Sequence, residues 1–389
     1  MKERIYLDNS ATTCLDERVL ESMLPCFREN FGNASSVHLV GQEARAVVED
    51  ARRSIAELLG ADTREIVFTS GGTESDNTAL WGIFRSGARP GNHIITTKIE
   101  HPAILSTCKS LELSGAEITY VPVDASGRVD PQAIESAIRK STILISVMHA
   151  NNETGVIQPV EEIAEISRKC GIPIHTDAVQ SVGKIPTKVR DLNVDLLSMS
   201  GHKIHGPKGI GALYIRKGTR IVPFMTGGSQ ERKRRAGTEN VPAIAGLGAA
   251  ARLAGERLPE MQTRIARLRD RLEQEARTRI DGVRINGQAA RLPNISNLSF
   301  DGLEGEAAVI ALDLEGIALS TGSACSSGSL DPSHVLIAMG LRPEIVQSSL
   351  RFSLGYHNTE EEIDRTLQKL ETIVQRLRKL SKKRFAISD

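Results

Sequence analysis

VDLLSMSGHKIHGPKGIGALYIR (194–216) holds an apolar run, a turn centred on Lys203, and a second apolar run that returns close by. The first run, 194–200, has almost no polar alternation. That pattern marks a strand buried on both faces. Working outward, the same kind of run recurs in EIVFTS (65–70), HIITTK (93–98), EITYVPV (117–123), TILISVMH (142–149) and IPIHTD (172–177). Helical segments such as VEEIAEISRKCG (160–171) fall between most of them. Apolar strands alternating with helices predict an α/β fold, a mostly parallel sheet covered by helices on both faces.

Past residue 240 the pattern changes. ERLPEMQTRIARLRDRLEQEARTR (256–279) reads as a long helix that bridges to a smaller α+β domain. That domain is expected to hold strands at 294–300 and 348–354, a helix at 304–316 and a final helix. Thr359 and Glu362 form a capping box at the start of the final helix. Ile363, Leu367, Leu370, Ile373, Leu377 and Leu380 mark its apolar face. The expected division is a large domain at 15–255 and a small one at 256–389, joined by 1–14.

The chain has 389 residues, with 49 Lys and Arg against 48 Asp and Glu. A net charge of +1 gives no field to gather nucleic acid or an anionic membrane. The run Arg232-Lys233-Arg234-Arg235 has no interleaved aromatics and fits a subunit interface better than a nucleic-acid patch. Five cysteines are present, with no C-x-x-C pair and no Cys/His ligand spacing, so no metal site is expected. The N-terminus lacks an apolar signal core, and no apolar run reaches about 18 residues. A reduced, cytoplasmic setting is expected.

In parallel sheets, ligands bind beyond the carboxyl ends of the strands. Each strand end carries a candidate and a plainer alternative. Ser70-Gly71-Gly72-Thr73 is a phosphate cradle at a helix start, or a glycine turn. His101 opens the next helix, as a ligand contact or as a cap. Asn151-Asn152-Glu153-Thr154-Gly155 is an amide-bearing site, or a turn. Asp177 needs a cation or several donors, or caps a helix. Lys203 lies between Gly201-His202 and Ile204-His205. Partial burial lowers a lysine pKa, which suits an amine that condenses with a carbonyl. On one sheet edge, these groups match the needs of pyridoxal phosphate.

The chain resembles cysteine desulfurases of the NifS/IscS type, within the pyridoxal-phosphate enzymes of the aspartate-aminotransferase-like fold (fold type I). The resemblance rests on YLDNSATT (6–13), TSGGTESDN (69–77), EHPAI (100–104), NNETG (151–155), HTDAVQS (175–181), SMSGHKIHGPKGIGALY (198–214), RRAGTENV (234–241), STGSACSSGSLDPSHVL (320–336) and SSLRFSLG (348–355). It implies that Lys203 holds pyridoxal phosphate covalently and that His101 stacks on its ring and assists proton transfers. Asp177 would pair with the pyridine nitrogen, and Gln180 would bond the phenolic oxygen. Gly72, Thr73, Ser200 and His202 would contact the phosphate. Thr238 would reach the phosphate of a neighbouring subunit, which implies a homodimer. Asn152 and Arg351 would bind L-cysteine, Arg351 through its carboxylate.

By the same resemblance, Cys325 would take the sulfur as a persulfide, release alanine, and pass the sulfur to an iron–sulfur scaffold or another acceptor. Its own surroundings agree. Residues 320–329 hold two Gly, five Ser and almost no apolar side chain, which predicts a mobile loop and a reactive thiol rather than a core cysteine. Cys14, Cys26, Cys108 and Cys170 are read as structural.

Overall fold

The computed structural model describes residues 4–321 and 332–385. Seven of the expected strands form one sheet. Its order is Ile66–Thr69, Gly211–Ile215, Leu196–Ser200, Ile174–Asp177, Thr142–Ser146, His93–Thr97, Glu117–Val121. Every neighbouring pair is parallel except those made by Gly211–Ile215, which is antiparallel to both its neighbours. The reason is chain length: the connection from Ser200 to Gly211 is too short for a parallel crossover, which needs a dozen or more residues.

The sheet is buried on both faces, as the unbroken apolar runs require. On one face Ile174 and Leu197 pack with Val48 and Ile55 of the helix Leu39–Leu59 and with Leu247 of the helix Val241–Glu260. On the other, Ile94 and Leu213 pack with Leu80 and Trp81 of Gly72–Ser86 and with Ile104 and Leu111 of Pro102–Glu112. Strands end earlier than their apolar runs. The run 142–149 is a strand only over Thr142–Ser146. Its remainder still hydrogen-bonds the neighbouring strand, with Val147 N–H to His175 O at 3.1 Å and His149 N–H to Asp177 O at 2.9 Å.

The long helix expected at 256–279 is not uniform. Val241–Glu260 passes through a π turn, Met261–Ile265, into Ala266–Arg279. Pro259 lies just before that turn. Its missing N–H breaks the regular ladder there. Beyond it, Ser320–Thr321, Ser349–Ser353, Ile295–Phe300 and Val283–Ile285 make a four-stranded antiparallel sheet. Phe300, Phe352, Leu272 and Leu367 share one apolar cluster with Ile5 and Leu7 from the N-terminus. The capping box forms, with Glu362 N–H to Thr359 Oγ1 at 3.3 Å and Thr359 N–H to Glu362 Oε2 at 3.2 Å. One residue departs from the expected face: Leu380 is 58% exposed, because the helix outruns the sheet it covers.

The basic run contains a feature that local reading missed. Glu231, just before it, is buried against Arg52 through two bonds, of 2.7 and 2.8 Å. Its Oε2 also accepts the Phe68 N–H at 2.9 Å. The backbone around it is left-handed at Glu231, Arg232 and Lys233. Arg235 pairs with Glu74 at 2.8 Å, while Arg232 and Lys233 are exposed.

Candidate active site

Lys203 stands in the turn Gly201–Lys203, directly after the central strand Leu196–Ser200. Its Nζ donates to Ser10 O at 2.5 Å and to Ala11 O at 2.8 Å. The N-terminal segment therefore lies across the lysine. It is held there by Thr13 N–H to His202 O at 2.9 Å and by a 3.1 Å contact between Thr12 Oγ1 and His202 Nδ1.

On the next strand Asp177 is buried, and its Oδ1 accepts the Val179 N–H at 2.9 Å. Burial raises its pKa, while that N–H and the charge of Lys203 pull it down. Behind it, on the helix Gly72–Ser86, Asp76 is almost fully buried, and its Oδ1 has no hydrogen-bond partner. Burial, then the charge of Asp177, raises Asp76 well above the usual carboxylate range. Two carboxylates in one dry pocket cannot both ionise cheaply. Asp177, with the Val179 N–H and the charge of Lys203 beside it, is the easier of the two to ionise, whereas the ring 3.6 Å from Asp76, that of His175, is neutral.

His101 caps a helix at the cofactor edge. Its Nδ1 accepts the Ala103 N–H at 3.1 Å and caps the helix Pro102–Glu112. Burial, then the charge of Lys203, lowers its pKa to about 4, so the ring is neutral with its proton on Nε2. Gln180 is buried, with Nε2 donating to Ser10 O at 3.0 Å and Oε1 accepting from Lys184 Nζ at 3.2 Å. Lys184 is a buried cation that burial, with the charges of Lys203 and Arg351, brings down to about 7.

The glycine turn is tight. A Cβ at Gly72 would stand 2.7 Å from Val179 Cγ2 and 3.7 Å from Ser200 Cβ. A Cβ at Gly211 would stand 2.6 Å from Met199 O and 2.7 Å from Gly71 Cα. The helix Gly72–Ser86 starts with no side-chain cap, so its first N–H groups are available to an anion. Ser200 is buried, His202 half-buried and Thr73 exposed. With an anion cradle at one end and a buried carboxylate and an amine further in, the residues present fit pyridoxal phosphate.

Arg351 is fully buried. Its Nη1 donates to Asn152 O at 3.0 Å, its Nη2 pairs with Asp8 at 2.8 Å, and its Nε has no hydrogen-bond partner. Thr238 is exposed beside Ser70, Gly209 and Arg235, away from Lys203. Cys325 and its expected loop lie outside the described residues. Both flanks of that run lie at the site. Thr321 pairs with Leu350, next to Arg351. Ser333 Oγ donates to the buried carboxylate of Glu153 and accepts the Leu336 N–H at 3.1 Å. His334 Nε2 is 2.9 Å from Glu100 O.

Asp8, Asp76, Glu100, Glu153 and Lys184 were not anticipated. Asp8 and Glu153 are engaged by residues distant in sequence, Arg351 and Ser333, and the burial of Asp76, Glu100 and Lys184 is set by how the layers stack, so no local pattern marks them. Cys26 and Cys108 are buried as expected, but Cys14 and Cys170 are exposed. Cys170 follows the last turn of its helix on the outer face, and Cys14 precedes the first helix.

The Aminotransferase class-V family matches residues 5–366. A protein called cysteine desulfurase IscS from Dictyoglomus turgidum is 52% identical over 382 residues, 98% of this chain and 97% of the relative. A cysteine desulfurase from Gluconacetobacter diazotrophicus is 49% identical over 380 residues, 97% of this chain and 95% of the relative. Among solved structures, a NifS-like protein aligns with a TM-score of 0.90 at 42% identity, covering 96% of this chain and all of its own. The structure titled SspA in complex with cysteine aligns at 0.81 and 38% identity, over 91% of this chain and all of its own.

Proposed function

The chain belongs to the Aminotransferase class-V family, and from that premise we propose how its residues carry out the reaction. The protein is a pyridoxal-phosphate-dependent cysteine desulfurase, a transferase that converts L-cysteine to L-alanine and mobilises the sulfur. The observation that carries the residue assignment is that Lys203, Asp177 and His101 share the carboxyl edge of the seven-stranded sheet, and that Arg351, beside one flank of the Cys325 run on the four-stranded sheet, reaches the Asn152 carbonyl that follows the same edge.

When bound, the cofactor supplies an electron sink for the pair released at the substrate Cα. Gly72, Thr73, Ser200 and His202 hold its phosphate. Asp177 would pair with its ring nitrogen, its anion favoured by the Val179 N–H and the charge of Lys203. Gln180 turns its Nε2 toward the site because Lys184 occupies its Oε1. Asn152 and Arg351 take the substrate carboxylate, which competes with Asp8 for the guanidinium. Lys203 removes and returns the Cα proton. Neutral His101 carries a second proton at Nε2.

The Cys325 thiolate attacks the substrate sulfur. The new S–S bond forms as the Cβ–S bond breaks, and the carbon skeleton leaves as alanine after gaining a proton. One thiol and one cysteine thus become one persulfide and one alanine, and no outside oxidant is needed. Thr238 completes the phosphate site of a second subunit in a homodimer. The acceptor is an iron–sulfur scaffold or another sulfur carrier in the cytoplasm. Among the described residues no helix is long and apolar enough to cross a membrane.

Mass spectrometry after incubation with L-cysteine tests this. A one-sulfur adduct on Cys325 with stoichiometric alanine is expected. Sulfide release with no adduct on that residue would overturn the covalent step. Loss of cysteine turnover in Cys325→Ala separates this reading from an aminotransferase, which would not need the thiol.

A further inference from the structure

We propose that Cys14, His205 and His357 form a site for a thiophilic divalent cation of the zinc class. No spacing in the sequence suggests it, because the three residues come from the N-terminal segment, the turn after Lys203 and the turn between the strand Ser349–Ser353 and the final helix. The fold brings their ligand atoms within 4.8 Å of one another. Cys14 Sγ lies 3.7 Å from His205 Nδ1. A tetrahedral zinc with Zn–S near 2.3 Å and Zn–N near 2.0 Å sets its ligand atoms roughly 3.3–3.6 Å apart. Small side-chain rotations close the remaining gap.

The backbone holds the three residues ready before any ion arrives. His205 is one of few non-glycine residues with a left-handed φ, 63°. A conformation of that kind persists only where its surroundings over-determine it. Here they do so from the N-terminal segment. His205 N–H donates to Thr13 Oγ1 at 2.8 Å, and His205 O accepts the Asp16 N–H at 3.1 Å. The ring itself packs 4.2 Å from that of Tyr356, which stacks in turn on His357 at 3.9 Å.

The nearest cation, Arg257, is already engaged. It lies over the Tyr356 ring at 3.5 Å and pairs with Asp16 at 2.9 Å. Asp16 therefore offsets the guanidinium that acts on all three ligands, while Lys208, Lys184 and Arg264 each act on one of them. His205 Nδ1 now contacts Cys14 O at 3.0 Å. Binding exchanges that contact for the metal and releases the Cys14 thiol proton. Three protein ligands leave the fourth position to water.

Occupancy would tie three segments together beside the lysine turn. The N-terminal segment already accepts hydrogen bonds from Lys203 Nζ at Ser10 O and Ala11 O. A cation at Cys14 would therefore hold that segment and the turn in one position.

The test uses metal-stripped, cofactor-loaded Cys325→Ala enzyme, so that the acceptor thiol cannot bind the probe. Cobalt(II) is titrated and read by difference absorption against the same enzyme without metal. One cobalt per chain is expected, with a thiolate-to-metal charge-transfer band, tetrahedral d–d bands and displacement by zinc. Cys14→Ser in the same background should abolish the charge-transfer band, and His357→Gln should weaken binding at least tenfold. A thiolate band that survives Cys14→Ser, or no thiolate band in the parent, would overturn the proposal. Zinc should also raise the Tm of the parent and not that of Cys14→Ser. An equal rise in both would count against the site.

Discussion

Arg52 and Glu231 are buried about as deeply as Asp76 and Asp177, at 5% and 9% exposure against 1% and 6%. The two clusters are built in opposite ways. The first joins opposite charges through two side-chain bonds, and backbone groups at Ile66 and Phe68 take up the rest. The second places two carboxyls together, which opposes ionisation of both, and leaves Asp76 Oδ1 without a hydrogen-bond partner. A structural pair satisfies every group it buries. The cofactor edge does not, because part of what will satisfy it is a ligand. Incompleteness at a buried site is thus itself informative.

Three changes separate these two designs. The largest effect is expected from Lys203→Ala. It should lower cysteine turnover by about 10³–10⁴-fold, the range for loss of a proton-transfer group. Its unfolding midpoint in urea should move less than in the next variant, since the half-buried lysine donates to carbonyls of the N-terminal segment at the cofactor edge rather than pairing a buried charge. A large fall in stability would mean that this edge is as structural as the Arg52 cluster. Glu231→Leu is expected to do the reverse. It leaves the buried Arg52 guanidinium with only the more exposed Glu49 and the Ile66 carbonyl as polar partners, which should cost about 3 kcal/mol in denaturant unfolding. Turnover per folded molecule should stay near wild type.

The third effect is smaller and depends on pH. Glu100 is buried beneath His101, and burial pushes its carboxyl up to about 8. The folded state therefore binds a proton more tightly than the unfolded one. Its contribution to stability is complete below about 4.5 and is lost as pH rises through about 8. Gln can still accept from Thr97 Oγ1 and Met148 N–H, the bonds Glu100 makes at 2.6 and 3.0 Å. Glu100→Gln should therefore gain roughly 1–3 kcal/mol over wild type across that window. Thermal unfolding at pH 5 and pH 8 checks this. A difference that does not grow with pH would show that Glu100 is ionised in the fold.

The contrast also explains what the sequence could tell. The central strands were legible because burial on both faces removes alternation. LLSMS and TILIS carry that mark on their own. Lys203, Asp177 and His101 were legible because each stands at the end of such a run. Asp76 was not, although it is only three residues past Thr73. Its significance comes from Asp177 on another element. Glu231 gave no signal, since nothing near it names Arg52 as its partner. The sequence also lacks any sign that Cys14, His205 and His357 meet. Chain-local patterns report burial and periodicity, whereas pairings between distant segments are set by how the layers stack.

Gly211 touches no proposed ligand, yet it governs the mouth of the anion cradle. It opens the one antiparallel strand, and so its backbone runs against Gly71 on one side and Met199 on the other. Aperture here is a distance between two main chains, not a property of the groups that would grip a phosphate. A campaign to retune cofactor choice that varied only the gripping side chains would overlook a position where a single methyl meets main chain on both sides.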